Sequence, residues 1–464
     1  MSPLPSELAH AITHAGGGRV VLVVGAGVSI EQPTGLPSGR ACAIEAHRRL
    51  VADGVLDDGA CAHPDDLSLL ADTVVQVSGS QAELVSRLPR EQFVGAQPND
   101  GHLLAAALLR ERAISAVLTL NFDLAFSNAL VQVGAATDVA QVRGPEDQAS
   151  LAMLNLVYLH RTANHPPDEW ILRSDALTAA WTDSWEQAIA SRVLTTPVVV
   201  FAGLGSPAAV LTDTTRKLRT ILASGVRVFQ VDVIPYAESG FASDLGLSEG
   251  EFLQVGWVAF MKALANRFLK EQLEAVLRAC AALATSNGWP SEDVSGLCSW
   301  LADRGLLDLG RARSRWMLED TPYLPGWACD VDHLADVLLV VRLIERQTGS
   351  VARILPSGLV EFWIDDRLRW VVALASARGK WTWTALEPRV QRARGAWGDR
   401  DGQVRNVVVA GGLGPGLAEV TAPASIVAGD RTDDIISGNP GPNLLDAARV
   451  RNVPPAELEV LLSA

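Results

Sequence analysis

Residues 20–29, Val20-Val21-Leu22-Val23-Val24-Gly25-Ala26-Gly27-Val28-Ser29, run an unbroken apolar segment straight into a Gly-Ala-Gly turn. Five aliphatic residues in succession predict a strand buried on both faces, as in a parallel sheet. A glycine turn at the end of such a strand leaves backbone N–H groups facing whatever sits above the next helix. That is the usual way an α/β sheet holds a diphosphate. The dinucleotide fingerprint G-x-G-x-x-G needs a small residue at position 30, where Ile30 stands. A second glycine turn, Gly35-Leu36-Pro37-Ser38-Gly39-Arg40, follows where a dehydrogenase would already be inside its first helix. The stretch therefore predicts a nucleotide site that does not transfer hydride.

Outward from this strand, to about Arg267, short apolar runs alternate with amphipathic ones. The expected strands are Val20–Val24, Ala116–Leu120, Leu154–Leu159, Pro197–Phe201 and Val226–Val231, with helices over Gly101–Arg112, Asp123–Val133 and Thr212–Ala223. This alternation predicts an α/β fold, a Rossmann-like parallel sheet covered on both faces, with ligands at the carboxyl ends of its strands. A helical segment follows to about Thr348. From Ser350 the pattern turns to α+β: LVEFWIDD, LRWVVALAS and KWTWTAL as strands, a helix near Pro388–Trp397, then QVRNVVVAGG and ASIVAG. The domains expected are 1–265, a helical linker or assembly segment 266–348, and a smaller C-terminal α+β domain 349–464.

Bulk properties narrow the class. The 464 residues are 48% hydrophobic and 20% charged, ordinary for a globular protein of two or three domains. Neither a signal peptide nor an apolar stretch of membrane-spanning length is read in the chain. Five scattered cysteines without a C-x-x-C pair exclude a zinc ribbon and read as reduced thiols, so a cytoplasmic protein is expected. From Arg346 onward 14 Lys and Arg face 13 Asp and Glu, whereas the first 345 residues hold 25 against 40. An acidic N-terminal part is a poor binder of nucleic acid, so any such contact is expected only through the C-terminal domain.

Polar or glycine residues follow each expected strand. Asn121-Phe122-Asp123 comes after SAVLTL, His160 after LNLVYL, Ala202-Gly203-Leu204-Gly205-Ser206 after PVVVF, and Asp232 at the end of the VRVFQ strand. Singly, Asn121 reads as a helix N-cap and His160 as a structural hydrogen-bonder. Together they fall on one sheet edge, beside the GAGVS turn.

This order resembles the sirtuin family, in particular its bacterial NAD-consuming branch associated with phage defence. Gly25-Ala26-Gly27-Val28-Ser29 matches the family's GAGxS segment, and Gly35-Leu36-Pro37 with Arg40 its G-[IL]-P-x-x-R loop. Thr119-Leu120-Asn121-Phe122-Asp123 resembles T-[TQ]-N-x-D, Tyr158-Leu159-His160 the catalytic histidine segment, and Gly203-Leu204-Gly205-Ser206 the late glycine-serine loop. The likeness covers roughly residues 15–267. Two departures stand out. No cysteine lies between Asn121 and Gly203, where sirtuin deacylases carry a four-cysteine zinc module, and the family's His-Gly is His160-Arg161. No zinc is expected, and a deacylase is disfavoured.

The resemblance implies NAD as substrate, cleaved to nicotinamide and ADP-ribose by an NAD glycohydrolase that is silent until activated. Asn121 would hold the ribose hydroxyls or a water, and His160 would act as base, with His165 a second candidate. Asp123 would accept from the nicotinamide carboxamide or merely stabilise its helix start. Gly25, Ala26, Gly27, Ser29, Gly203 and Ser206 would contact the diphosphate or adenosine ribose. Arg40 would neutralise phosphate, and Asp232 would accept from the adenosine ribose. An anti-phage effector that depletes NAD, a homo-oligomer, and a helicase-type ATPase or Argonaute-like partner are further implications of the family. The alternative is a subunit that senses NAD or ADP-ribose without turnover.

The helix–three-strand–helix–strand order of the C-terminal domain resembles restriction-endonuclease-like nucleases, in a degenerate form acting as sensor or partner-binding module. Asp365 and Asp366 would supply the acid of the second strand, but no acid-x-Lys follows. Five tryptophans (Trp363, Trp370, Trp381, Trp383 and Trp397) interleaved with arginines read first as the core of a β-rich domain. A stacking surface for single-stranded nucleic acid is the second reading.

Overall fold

The computed structural model describes residues 4–463 except 15, 181–183, 205–208, 223–224, 314–322, 329–330, 356–358, 376–405, 411–442 and 447–452. The chain divides into two compact units, Met1–Phe268 and Leu269–Ala464.

The first unit is built on seven parallel strands: β1 Val20–Val24, β2 Ala116–Thr119, β3 Ala140–Val142, β4 Asn155–Tyr158, β5 Val198–Ala202, β6 Arg227–Asp232 and β7 Phe252–Gln254. They lie in the order β3-β4-β2-β1-β5-β6-β7. All five residues of β1 are buried, as are all of β2, β4 and β5. Such strands are apolar throughout because helices cover both faces, and the sheet is Rossmann-like. On one side Val21, Val23, Leu118, Val157 and Phe201 pack with Ile189, Leu211 and Phe241 from the flanking helices. A second cluster sits in a helical insertion between β1 and β2, where Leu50, Leu70, Val74 and Leu84 pack with Trp170.

The five expected strands are all present, as are the helices at Asp100–Arg110, Ala125–Gln132 and Ala209–Leu222. The pattern did not reveal β3 and β7, which are three residues each at the sheet margins. Nor did it reveal the insertion's helices Gly39–Ala52 and Leu67–Ser78. From β1 the chain steps to β2 on one side, and it later returns as β5 on the other. The carboxyl ends of β1 and β5 thus flank the point where the strand order reverses, where open α/β sheets bind ligands.

In the second unit the helix Val331–Thr348 is buried along most of its length, through Leu334, Leu338, Leu339, Val341 and Ile344. The strands β8 Val351–Ile354, β9 Val360–Ile364, β10 Arg367–Ala375, β11 Asn406–Ala410 and β12 Asn443–Asp446 form one sheet in sequence order. The first three pair antiparallel, and the last two join in parallel. KWTWTAL, the helix near Pro388–Trp397 and ASIVAG lie outside the described residues; β8 was not expected. Trp370 is buried, and Trp363 donates from Nε1 to Glu361 Oε2 at 3.0 Å. Both belong to packing of this unit; Trp381, Trp383 and Trp397 lie outside the described residues.

Asp365 and Asp366 are the two residues linking β9 to β10, at φ 48° and 59° and exposed. Two successive left-handed residues make the hairpin turn that suits strand twist, and Asp tolerates them better than most. The pair is therefore explained by the turn, and the second-strand acid of the nuclease comparison falls outside the strand. Asp366→Gly should raise stability by about 0.5–1 kcal/mol, read as a higher midpoint in chemical denaturation. A lower midpoint would count against the turn assignment.

Candidate functional site

The site starts from two loops that interlock. Gly25 is extended, and residues Ala26–Ser29 form one 3-10 turn after β1. The Gly25 N–H donates to the Ala202 carbonyl at 3.0 Å, and the Gly27 N–H to the Gly203 carbonyl at 2.9 Å. A Cβ on Gly27 would stand 2.6 Å from Gly203 Cα, and one on Gly203 2.6 Å from the Val28 nitrogen. Gly203 is also left-handed, at φ 62°. The sequence reading aims the Gly25 and Gly27 amides at a diphosphate. Both instead bind β5 and its loop, and these glycines are required because the loops touch backbone to backbone.

Beside this junction lies a buried polar cluster. Ser29 Oγ donates to Asp123 Oδ2 at 2.9 Å, and Asn121 Nδ2 donates to Ser29 Oγ at 3.3 Å. The Asn121 N–H donates to Thr119 Oγ1, and Asp123 Oδ1 accepts from the N–H of Ala125, the first residue of the following helix. Ser29, Asn121 and Asp123 are 1%, 5% and 5% exposed. Burial raises the Asp123 carboxyl above its usual range, opposed by the hydrogen bonds from Ala125, Ser29 and Asn121.

Sequence reasoning missed Asn99. It is fully buried, donates from Nδ2 to the Val28 carbonyl at 2.9 Å and the Glu31 carbonyl at 3.2 Å, and caps the helix Asp100–Arg110. It thereby ties the turn after β1 to the helix before β2. The signal available was Asn after Pro98 at a helix start, which reads as an ordinary N-cap.

His160 follows β4, one strand beyond Asn121 on the same edge, because β2 and β4 pair with Thr119 opposite Tyr158. Nε2 of its ring is buried and has no hydrogen-bond partner among the described residues. Burial, reinforced by the charge of Arg161, takes its pKa down to about 4. The imidazole is therefore neutral near pH 7, with one nitrogen left as an acceptor. Phe122 lies 6.5 Å from this ring and stacks on Trp170 at 4.4 Å. His165 binds Thr162 Oγ1 through Nδ1 at 2.9 Å and stiffens its own loop.

The next residue, Arg161, holds φ 76°. That conformation costs a side-chain-bearing residue about 1–2 kcal/mol. Its guanidinium meets Glu186 Oε1 at 3.2 Å and lies 5.2 Å from the Trp185 ring centre. Arg161 is thus an arginine in a glycine-like conformation.

The outer candidates are differently placed. Asp232 Oδ1 accepts from the Val233 N–H at 2.7 Å, and Gln230 Nε2 approaches Oδ2 at 3.4 Å. Arg40 pairs with Asp65 at 3.1 Å in an exposed position. Ala26 lies in the 3-10 turn; Ser206 lies outside the described residues. The rim therefore brings together His160, Asn121, Asp123, Ser29, Gly27 and Gly203, while Arg40 turns to Asp65. Among the described residues no group of three or more His, Cys, Asp or Glu could hold a metal ion.

The buried histidines predict a pH dependence. Burial lowers His160 to about 4 and His102 to about 3, both below the ordinary 6.5. Each is protonated first in the unfolded chain, so its stability contribution is complete above pH 6.5. It falls as the pH drops toward the folded pKa. Asp123, raised by burial, works in the opposite sense. Between pH 6.5 and 5 the histidines should each remove roughly 2 kcal/mol. Denaturation midpoints at pH 7 and 5 check this, and unchanged stability would overturn it.

No family model and no curated protein matches the chain. Solved structures do resemble it. A structure of Sir2 enzymes concerned with their mechanism and regulation is 14% identical, covering 57% of this chain and 98% of its own, with a TM-score of 0.33. A Sir2 homologue in complex with NAD is 16% identical over 57% of this chain and 94% of its own, TM-score 0.32. A substituted Sir2 homologue in complex with ADP ribose is 17% identical over 57% and 97%, TM-score 0.35.

Proposed function

We propose that the first unit is a sirtuin-like NAD glycohydrolase, releasing nicotinamide and ADP-ribose. The observation that carries this reading is the buried Ser29–Asn121–Asp123 cluster at the carboxyl edge of the sheet. A neutral, unpartnered His160 nitrogen lies one strand away.

The residue types suit that reaction. The nicotinamide of NAD is already cationic and leaves neutral, taking the electron pair of its bond to the ribose carbon, so no general acid is required. The enzyme must hold the ribose, stabilise an oxocarbenium-like transition state and direct one water to that carbon. Asn121, pinned through Thr119 and Ser29, is the group to orient the water or a ribose hydroxyl. His160 Nε2 is the acceptor for the proton given up as water adds. Both Asp123 oxygens accept bonds within the protein, which favours a positioning role over contact with the carboxamide. Asp232 at its strand end, and Ser206, remain proposed contacts to the adenosine half.

The second unit is read as a sensor or assembly module, and the whole as an NAD-depleting defence effector. On this reading it works in the cytoplasm as a homo-oligomer, or with a helicase-type ATPase or Argonaute-like partner. The test is incubation of the full chain with NAD, with nicotinamide followed by chromatography, in buffer and in lysate of phage-infected cells. Product dependent on Asn121 supports the reading. Tight NAD binding without product in either condition would instead favour a sensing subunit.

A further inference from the structure

The geometry points to Arg161 as a positioning residue for His160: its guanidinium, gripped by Glu186 beside Trp185, holds the backbone that sets where the imidazole lies after β4. The inference rests on the proposed reaction, with His160 as its base.

Three observations carry it. Arg161 adopts φ 76° directly after His160, a conformation glycine takes freely and arginine does not. The side chain must therefore supply what the backbone lacks. It is 15% exposed and its partner Glu186 only 3%, so the pair is largely out of water. In that setting an ion pair is directional, and losing one member strands the other. Finally, Glu186 belongs to the helix Trp185–Val193, so the pair fastens the loop after β4 to an element 25 residues later. On the other side the His160 carbonyl accepts from Ile171 at 3.4 Å, and Thr162 is fully buried. The segment is braced at both ends, and Arg161 supplies its side-chain brace. Glycine would permit this conformation; arginine with Glu186 enforces it.

The test compares Arg161→Ala, Arg161→Gly, Arg161→Lys and Glu186→Gln in the full chain. Arg161→Ala and Glu186→Gln should each lower kcat for nicotinamide release tenfold or more, with KM changed less than threefold. Arg161→Lys should recover at least a third of the rate. Arg161→Gly, which accepts the conformation without strain, guards against a folding defect and should remain impaired because nothing enforces it. The His160 ring resonance, assigned with His160→Ala in histidine-labelled protein, should be displaced in Arg161→Ala and Arg161→Gly. Wild-type kcat in Arg161→Gly or Glu186→Gln would overturn the inference. If wild-type protein releases no nicotinamide, the glycohydrolase reading fails by itself. An unmoved His160 resonance in both Arg161 variants then overturns the positioning role independently.

Discussion

Nicotinamide release is expected to fall about 10²–10⁴-fold when His160 is replaced by alanine, and about 10²–10³-fold for Asn121→Ala, with the fold retained in both. The His160 figure follows from removing the acceptor, since water or a ribose hydroxyl then loses its proton unaided. The Asn121 figure follows from removing a fixed donor in a buried polar cluster. Local structure should survive Asn121→Ala, because Ser29 keeps its bond to Asp123 and Asp123 keeps the bond it accepts from the Ala125 N–H. One lost buried hydrogen bond costs about 1 kcal/mol. Rates and thermal midpoints measured together separate the two effects. Activity within threefold of wild type in either variant would remove that residue from the mechanism.

The largest expected loss of stability is at Gly203. Alanine there meets two penalties together: a left-handed φ of 62°, and a Cβ 2.6 Å from the Val28 nitrogen and 2.8 Å from Gly27 carbon. The neighbours are backbone on both counts, so no rotamer change relieves the overlap. Adding strain to overpacking gives about 2–5 kcal/mol. For a unit of this size that is a fall of roughly 5–15 °C in Tm. Gly39→Ala is the matched control, since nothing lies within 4 Å of its Cβ position at the start of the helix Gly39–Ala52. It should leave Tm unchanged or slightly raised. Equal midpoints for the two variants would contradict the interlock.

Much of the first unit was legible because its central strands are buried on both faces, and burial leaves an apolar run that no surface helix imitates. VVLVV is the clearest case. The marginal strands β3 and β7 are too short to carry a period, and the helices between β1 and β2 present only narrow apolar faces. For the site, chain order gave the strand ends, so His160 and Asn121 could be placed on one edge without knowing any contact. What could not be read was partnership. That the Gly25 and Gly27 amides donate to the Ala202 and Gly203 carbonyls depends on a loop nearly 180 residues away. The bond from Asn99 to the turn after β1, and the grip of Glu186 on Arg161, are likewise contacts that local pattern does not encode. Asp365-Asp366 illustrates the reverse hazard, in which two acids with metal-site chemistry serve a turn.

The strand order also has a consequence for how the chain reaches this state. Val20 pairs with Val198, so the central strand gains its second neighbour only after about 180 further residues exist. At translation speeds of 5–20 residues per second that interval is about ten to forty seconds. Throughout it, β1 has an open edge on a wholly aliphatic strand, a template for pairing with another chain. Pairings this distant in sequence are also slow to form, since the entropy of closing the loop precedes any reward. Yield in cells should therefore depend more on chaperone supply and growth temperature than on the final stability of the sheet.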